Sequence, residues 1–522
     1  MFKRLLTVSG YTALSRVTGF MRDILMAFVL GAGPMSDAFL VAFRLPNNFR
    51  AIFGEGAFNA AFLPRFAKLR TNEGPEAAAS FADAVYSWQI AAQIVLLIAA
   101  LLGMRYVIGA MAPGFAAHPG QMDLATMLAR IAFPYLIMTV SSVQLSAMLN
   151  AIEKFAAAAA WSILLNVAMM ATLLAARWFP NAAYAAAWGV FLGGVMQLGF
   201  IAWAAARSHL RLRVKFPRWT PQVREFLWAL GAATIGSASI QISLFMDNFI
   251  ASFLPSGDLT ALYYADRINQ LPTGMFGIAL WTVLLPEMSN RFAKNEFASA
   301  YESQNRAAAF GLLLTLPFVA AYFAVPMTIM RALFAHGAFH LEAAATSANA
   351  LMAYGVGLPA FVLVRIVSAT FYARHDTATP VRATLFAVAV NIALKIVLVW
   401  GVHLGAVGIA LGTALGAWAN VGVLVWMAMG RKLMQVNAVF WRSLGPTLLA
   451  AVLTGVGAYA GTSIAGQRPL SAGANLWLVH ISAHTMNDEY ALGLALLLGC
   501  SGFAAVVLLF HRFLPLERLR RR

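Results

Sequence analysis

Long apolar runs alternate with short polar connections along the whole chain. They can be marked at roughly 7–31, 36–63, 82–111, 124–149, 156–178, 182–206, 226–254, 260–286, 308–334, 344–373, 379–401, 404–429, 443–464 and 490–511. A helix needs roughly 20 apolar residues to cross a hydrocarbon core. The runs are continuous rather than alternating in hydropathy, which favours helices over a membrane β-barrel. The pattern predicts an all-α integral membrane protein of about fourteen transmembrane helices. The second and eighth runs are the most polar. Pro46 is expected to kink the second, and Gly54 and Gly56 to loosen it further. Pro272, Gly274 and Gly277 should do the same in the eighth.

Composition agrees with this reading. The 522 residues are 61% hydrophobic and 11% charged, and the mean hydropathy is +0.74. A soluble domain is nearer half apolar and a quarter charged, so that class is excluded. The single cysteine, Cys500, excludes disulfides and cysteine metal sites. The net charge of +17 would suit a nucleic-acid partner, but the cations lie in short loops between spans, so none is expected. Lys3 and Arg4 could open a signal peptide. Arg16 and Arg22 interrupt the run that follows and no clean cleavage site appears, so it reads as a retained first helix. Arginine and lysine concentrate at the N-terminus, the even-numbered loops and the C-terminus. The positive-inside rule then places both termini in the cytoplasm.

The chain also carries an internal similarity. Phe20 to Phe28 can be laid over Phe245 to Phe253, and Leu63-Pro64 over Leu285-Pro286, at an offset of roughly 222 to 225 residues. That is about six spans, which preserves orientation, so the repeats are parallel. Transporters place substrates between such halves. The expected organisation is an N-lobe over 1–220, a C-lobe over 221–432, and an appendage of two helices with a basic tail over 433–522.

Ionisable groups inside spans cost about 2.5–3.5 kcal/mol each at mid-bilayer, so they are expected to face a cavity or a partner. The first two spans hold Arg16, Arg22, Asp23, Asp37, Arg44, Arg50 and Glu55, and the second copy holds Asp247, Asp266 and Arg267. Residues seven apart share a helix face, which groups Ser15 with Arg22, Arg16 with Asp23, and Asp37 with Arg44. Salt bridges between helices are one account of these pairs. Arg22, Arg50 and Arg267 fall near the expected lobe interface, where an anionic substrate would supply counter-charge, and guanidinium suits phosphate. His336 with His340 and His480 with His484 are spaced i, i+4, but with no third ligand they read as interfacial residues, and no metal site is expected. No glycine-rich phosphate loop follows a strand, which argues against an ATP-driven pump.

Ser15-Arg16-Val17-Thr18-Gly19-Phe20-Met21-Arg22-Asp23 resembles the opening of the MurJ (MviN) lipid II flippase family. So do Gly31-Ala32-Gly33, Ser36-Asp37-Ala38-Phe39, Arg44-Leu45-Pro46-Asn47, Arg50 and Gly54-Glu55-Gly56-Ala57-Phe58. Tyr264-Ala265-Asp266-Arg267 and Phe371-Tyr372-Ala373-Arg374-His375-Asp376 continue the likeness, in order, along nearly the whole chain. The resemblance implies a member of the multidrug/oligosaccharidyl-lipid/polysaccharide exporter superfamily, with two lobes around a cationic cavity and a lipid-tail groove in the last two helices. It implies a bacterial inner-membrane flippase and not an enzyme. The substrate would be lipid II, an undecaprenyl-pyrophosphate carrying a disaccharide-pentapeptide, moved to the periplasmic leaflet by alternating access.

Carried over by motif, Arg22, Arg50 and Arg267 would contact the pyrophosphate. Ser15, Arg16, Asp23, Asp37, Arg44, Glu55 and Asp266 would be gate or charge partners. Some relatives place an acid where this chain has Gln270. Asp247 and Asp376 match positions that hold a sodium ion in some relatives, although Tyr372 stands where a co-ligand is expected. No cofactor is implied, and sodium or the membrane potential would supply the drive. The expected partners are lipid II, membrane lipids and other cell-wall synthesis proteins. Competing readings are another polysaccharide-lipid flippase, a drug/cation antiporter, which should line its cavity with acids, and a membrane enzyme acting on lipid-linked sugars.

Overall fold

A computed structural model describes residues 2–53, 56–465 and 487–514, and every regular element among them is helical. Two compact units divide the chain at Gly257. The first contains α1 (Phe2–Leu30), α2 (Pro34–Phe53), α3 (Gly56–Asn72), α4 (Pro75–Met111), α5 (Gln121–Ala132), α6 (Tyr135–Ala151), α7 (Phe155–Ala160), α8 (Ile163–Leu174), α9 (Ala182–Ala206) and α10 (Pro221–Ala251). The second contains α11 (Asp258–Pro272), α12 (Ile278–Ala293), α13 (Phe297–Ala324), α14 (Pro326–Phe334), α15 (Leu341–Tyr372), α16 (Ala378–Ile396), α17 (Gly405–Gly430), α18 (Ala438–Ile464) and α19 (Asn487–Leu509).

Among the described residues, eleven helical stretches are long and apolar enough to cross a membrane. The chain is therefore a multi-pass membrane protein. The first, second and seventh runs fall on α1, α2–α3 and α10, which are not among these eleven. α2 stays helical through Pro46, so the expected kink is not a break at that residue. The eighth run changes pitch without leaving the helix where proline and glycine cluster: Thr273–Gly277 form a π-helical turn between α11 and α12. Other runs that looked continuous are also divided, at Phe133–Pro134 and at Trp161–Ser162.

Lipid tails are as apolar as leucine, so helix association in a membrane rests on close packing and interhelical hydrogen bonds. In the first unit, phenylalanines at i, i+4 spacing build one face of α3. The Phe58 and Phe62 rings stack at 5.1 Å and those of Phe62 and Phe66 at 5.4 Å, while Phe81 of α4 and Phe226 of α10 close the cluster. Glycine sets the approach of α8 and α9, since a Cβ on Gly189 would stand 2.3 Å from Thr172 Oγ1. In the second unit the deeply buried α15 packs on α17 through Gly357, whose Cβ would stand 2.7 Å from the Ala414 backbone. The pair α18–α19 crosses at Gly457 and Gly461, where added carbons would sit 2.6 Å from backbone atoms of the facing helix.

Candidate functional site

The polar face of α1 is fastened to α8. Ser15 Oγ lies 3.1 Å from Ser162 Oγ, one turn before Asn166. Asn166 Nδ2 donates to the Ser15 carbonyl and to Thr18 Oγ1, each at 3.2 Å, and Asn166 Oδ1 accepts from Arg22 Nη1 at 3.0 Å. The seven-residue spacing of Ser15 and Arg22 therefore does put both on one face. Gly19 faces Asn166 across this contact.

Arg22 is buried, and it already has a carboxylate. Its Nη2 and Nε donate to Asp23 Oδ1 at 2.7 and 3.1 Å. Only 6% of Arg22 and 2% of Asp23 is exposed, so this pair is shielded from water. The Arg22 guanidinium also lies 5.6 Å from the Phe43 ring centroid of α2. Adjacent residues diverge by about 100° on a helix, yet the arginine is long enough to fold back on its neighbour. Sequence spacing instead put Asp23 on a face with Arg16, which is exposed here.

Asp37 and Arg44 share a face of α2, and both reach the end of α10. The Asp37 carboxylate, 2% exposed, accepts from the Gly257 amide at 2.7 Å. Gly257 has φ +97°, a backbone that favours glycine, and it packs beside Ala32 and Gly33. Arg44 Nη1 donates to Asn248 Oδ1, and Asn248 Nδ2 donates to the Leu244 carbonyl at 3.0 Å. Asp247 is the half-buried neighbour of Asn248 on α10. Half-buried Arg50 occupies the last turn of α2. Glu55 lies outside the described residues.

In the second unit Arg267 sits on α11. Its Nη2 donates to Tyr263 OH at 2.8 Å, and its guanidinium lies 4.8 Å from the Tyr263 ring centroid. Asp266, beside it, accepts from Gln270 Nε2 at 2.5 Å. Gln270 is thus a hydrogen-bond partner of Asp266. The π turn begins six residues after Arg267. Beneath it, a Cβ on Gly277 would be 3.0 Å from Arg365 Cδ.

Asp376 is in the turn between α15 and α16. It accepts from Thr379 Oγ1 at 2.7 Å and Thr379 N at 3.0 Å, and from Arg431 Nη1 at 3.2 Å. The Thr379 hydroxyl bond, helped by its amide and by Arg431, holds this carboxyl below the usual range. Of the histidines, His336 Nε2 lies 2.8 Å from Glu489 Oε1, next to a 3.1 Å ion pair of Arg331 with buried Asp488. His480 and His484 lie outside the described residues. Among the described residues no group of three or more His, Cys, Asp or Glu side chains could hold a metal ion.

Asn166 is the site residue that sequence reasoning passed over. It is one amide in an apolar run, 144 residues from Arg22, and only the packing of α1 on α8 shows its role. A second feature is an apolar cavity of about 280 Å³ lined by Phe276, Pro317, Phe318, Thr454, Leu496 and Phe503, among others, and bordered by α13, α14, α18 and α19.

The family model described as lipid II flippase MurJ matches residues 26–481. A probable lipid II flippase MurJ of Rhizobium tropici is 40% identical over 444 residues, 82% of either chain. Among solved structures, a lipid II flippase MurJ in an inward closed conformation superposes with TM-score 0.77 at 22% identity, covering 97% of this chain and 98% of that one. An inward-facing multidrug resistance MATE transporter of the MOP superfamily gives 0.67 at 16% identity, covering 82% and 98%. These two likenesses carry the fold.

Proposed function

Because this chain belongs to the lipid II flippase MurJ family, we propose that it carries lipid II from the cytoplasmic to the periplasmic leaflet of a bacterial inner membrane, with both termini in the cytoplasm. The observation that carries this reading is the family match over residues 26–481. Guanidinium groups set within the helices support a diphosphate site in this reading. Arg22 is held in place by Asn166 while its charge is matched by Asp23. Arg267 donates to the Tyr263 hydroxyl. In this mechanism the pyrophosphate displaces Asp23 from Arg22 and recruits Arg50 and Arg267, and alternating access then exposes it on the other side. Arginine suits this exchange, since its planar fork binds carboxylate and phosphate in the same bidentate manner.

The isoprenoid tail stays in lipid, and the apolar cavity beside α18 and α19 offers it a path. Asp376 is already bound by Thr379 and Arg431, which favours the membrane potential over a sodium ion as the drive. An inside-negative potential favours outward movement of negative charge by about 2.3 kcal/mol per charge per 100 mV. Gate roles fall to Asp37 and Arg44, whose bonds join α2 to the end of α10. Other cell-wall synthesis proteins are the natural neighbours of such a flippase.

Depletion of the protein in cells, with lipid II topology measured, tests the function. Lipid II should accumulate in the cytoplasmic leaflet, and an unchanged distribution would overturn the reading. Arg50→Ala tests the site, and undiminished translocation would remove Arg50 from it.

A further inference from the structure

The connection between α9 and α10 is basic, aromatic and tied down. Residues 207–219 hold five cations, Arg207, Arg211, Arg213, Lys215 and Arg218, and no acid. A free linker of that composition would be a solvated tether, but this one is pinned along α4. The Arg213 amide donates to Asp83 Oδ1 and the Lys215 amide to Ser87 Oγ, each at 2.9 Å. Lys215 Nζ reaches Asp83 Oδ2 at 2.8 Å. Trp88 Nε1 donates to the Arg218 carbonyl at 3.0 Å, and its ring meets Trp219 edge to face at 5.5 Å. Asp83 and Ser87 are buried, so the strap is a fixed part of the first unit.

Fixing the backbone this way turns other side chains outward. Phe216 is 88% exposed, Val214 64% and Trp219 61%, and Trp228 at the start of α10 is 77% exposed. Arg211, Arg213 and Arg218 stand exposed among them. Lys215 is taken by Asp83 and is not part of this outward set. Water would penalise these aromatics, and a hydrocarbon interior would penalise the guanidinium groups. The boundary between headgroups and acyl chains suits both. The strap is also at that depth, since Arg207 directly follows α9 and Trp219 comes two residues before α10.

We propose that residues 207–219 form a preformed binding strip for anionic phospholipid headgroups, with Phe216 and Trp219 seated among the acyl chains and Arg211, Arg213 and Arg218 on the phosphates. The inference rests on the membrane placement given under Proposed function, in which this connection faces the cytoplasmic leaflet, rich in anionic lipid.

The test uses the full chain with Cys500→Ser and Val214→Cys, a fluorophore on Cys at 214, and phosphatidylcholine vesicles. Brominated phosphatidylglycerol should quench the label at a lower mole fraction than brominated phosphatidylcholine. Each arginine should contribute about fivefold to that preference, so Arg211→Gln/Arg213→Gln/Arg218→Gln should lower it about a hundredfold and bring the two curves together. The corresponding triple lysine variant should keep the preference, separating charge from any effect on folding. Equal quenching by both lipids in the parent, quenching by neither, or a glutamine variant that keeps the preference would each overturn the proposal. Lipid II transport is measured in the same vesicles. A parent that shows the lipid preference but no transport strikes the flippase reading alone, and a glutamine variant that loses the preference while transport stays intact upholds the strip.

Discussion

Asn166→Ala isolates the positioning of Arg22 from its charge. The side chain makes three bonds: one with the Arg22 guanidinium at 3.0 Å, and two at 3.2 Å with neutral oxygens on α1. Interhelical hydrogen bonds between neutral groups in membranes average about 0.6 kcal/mol. A bond to a charged group contributes about 1.5 kcal/mol or more. Together the loss is about 2.5–3 kcal/mol, of which about half falls on Arg22. Stability lost from the α1–α8 contact should appear as a lower unfolding temperature in detergent. The Arg22 share should appear as about a tenfold weaker apparent affinity for lipid II in a reconstituted transport assay.

A double-mutant cycle with Arg22→Ala separates the two effects. If Asn166 acts through Arg22, the double variant should transport no worse than Arg22→Ala alone. Full additivity of the two losses would refute the positioning role. Wild-type affinity in Asn166→Ala, with stability lowered as expected, would refute it as well.

Three further outcomes follow from the packing and the ion pairs. Gly461→Leu places a side chain where even a Cβ lies 2.6 Å from the α19 backbone, so it should cost about 1–3 kcal/mol and widen the α18–α19 crossing, seen as slower cross-linking of paired cysteines across it. Asp488→Ala leaves Arg331 facing a site where the acid was 1% exposed; a loss of about 3 kcal/mol in unfolding free energy is expected, with Arg331→Met/Asp488→Leu much milder. Thr379→Val removes the main bond that lowers the Asp376 pKa. A depressed carboxyl stabilises the fold above its unfolded pKa and loses that contribution as pH falls through the folded value. Thermal unfolding of parent and variant should therefore differ at neutral pH and converge below about pH 4, and a constant gap down to pH 3 would refute the assignment.

Helical periodicity made part of this site readable in advance. The seven-residue pairs Ser15/Arg22 and Asp37/Arg44 do share faces, one toward α8 and one toward α10. Proline with glycine marked the irregular turn at Thr273–Gly277. Hydropathy could not show the divisions at Phe133–Pro134 and Trp161–Ser162, because both sides of each are equally apolar. It also could not choose a partner for Asp23. That choice depended on how far Arg22 folds back, which no spacing rule contains. Asn166 was hidden for a related reason: a single amide among leucines and methionines gains meaning only from the helix laid across it.

The π turn between α11 and α12 bears on more than bending. A turn with one residue too many advances the helix phase by about 100°. It thereby sets which side α11 presents, with Tyr263 and Arg267, independently of the side α12 presents, with Leu284 and Met288 against its core. The surplus residue works as a rotary coupling between two halves of one rod. Deleting a residue such as Met275 would leave both halves helical yet clock one against the other, so that the arginine and the packing face could no longer both be correctly aimed.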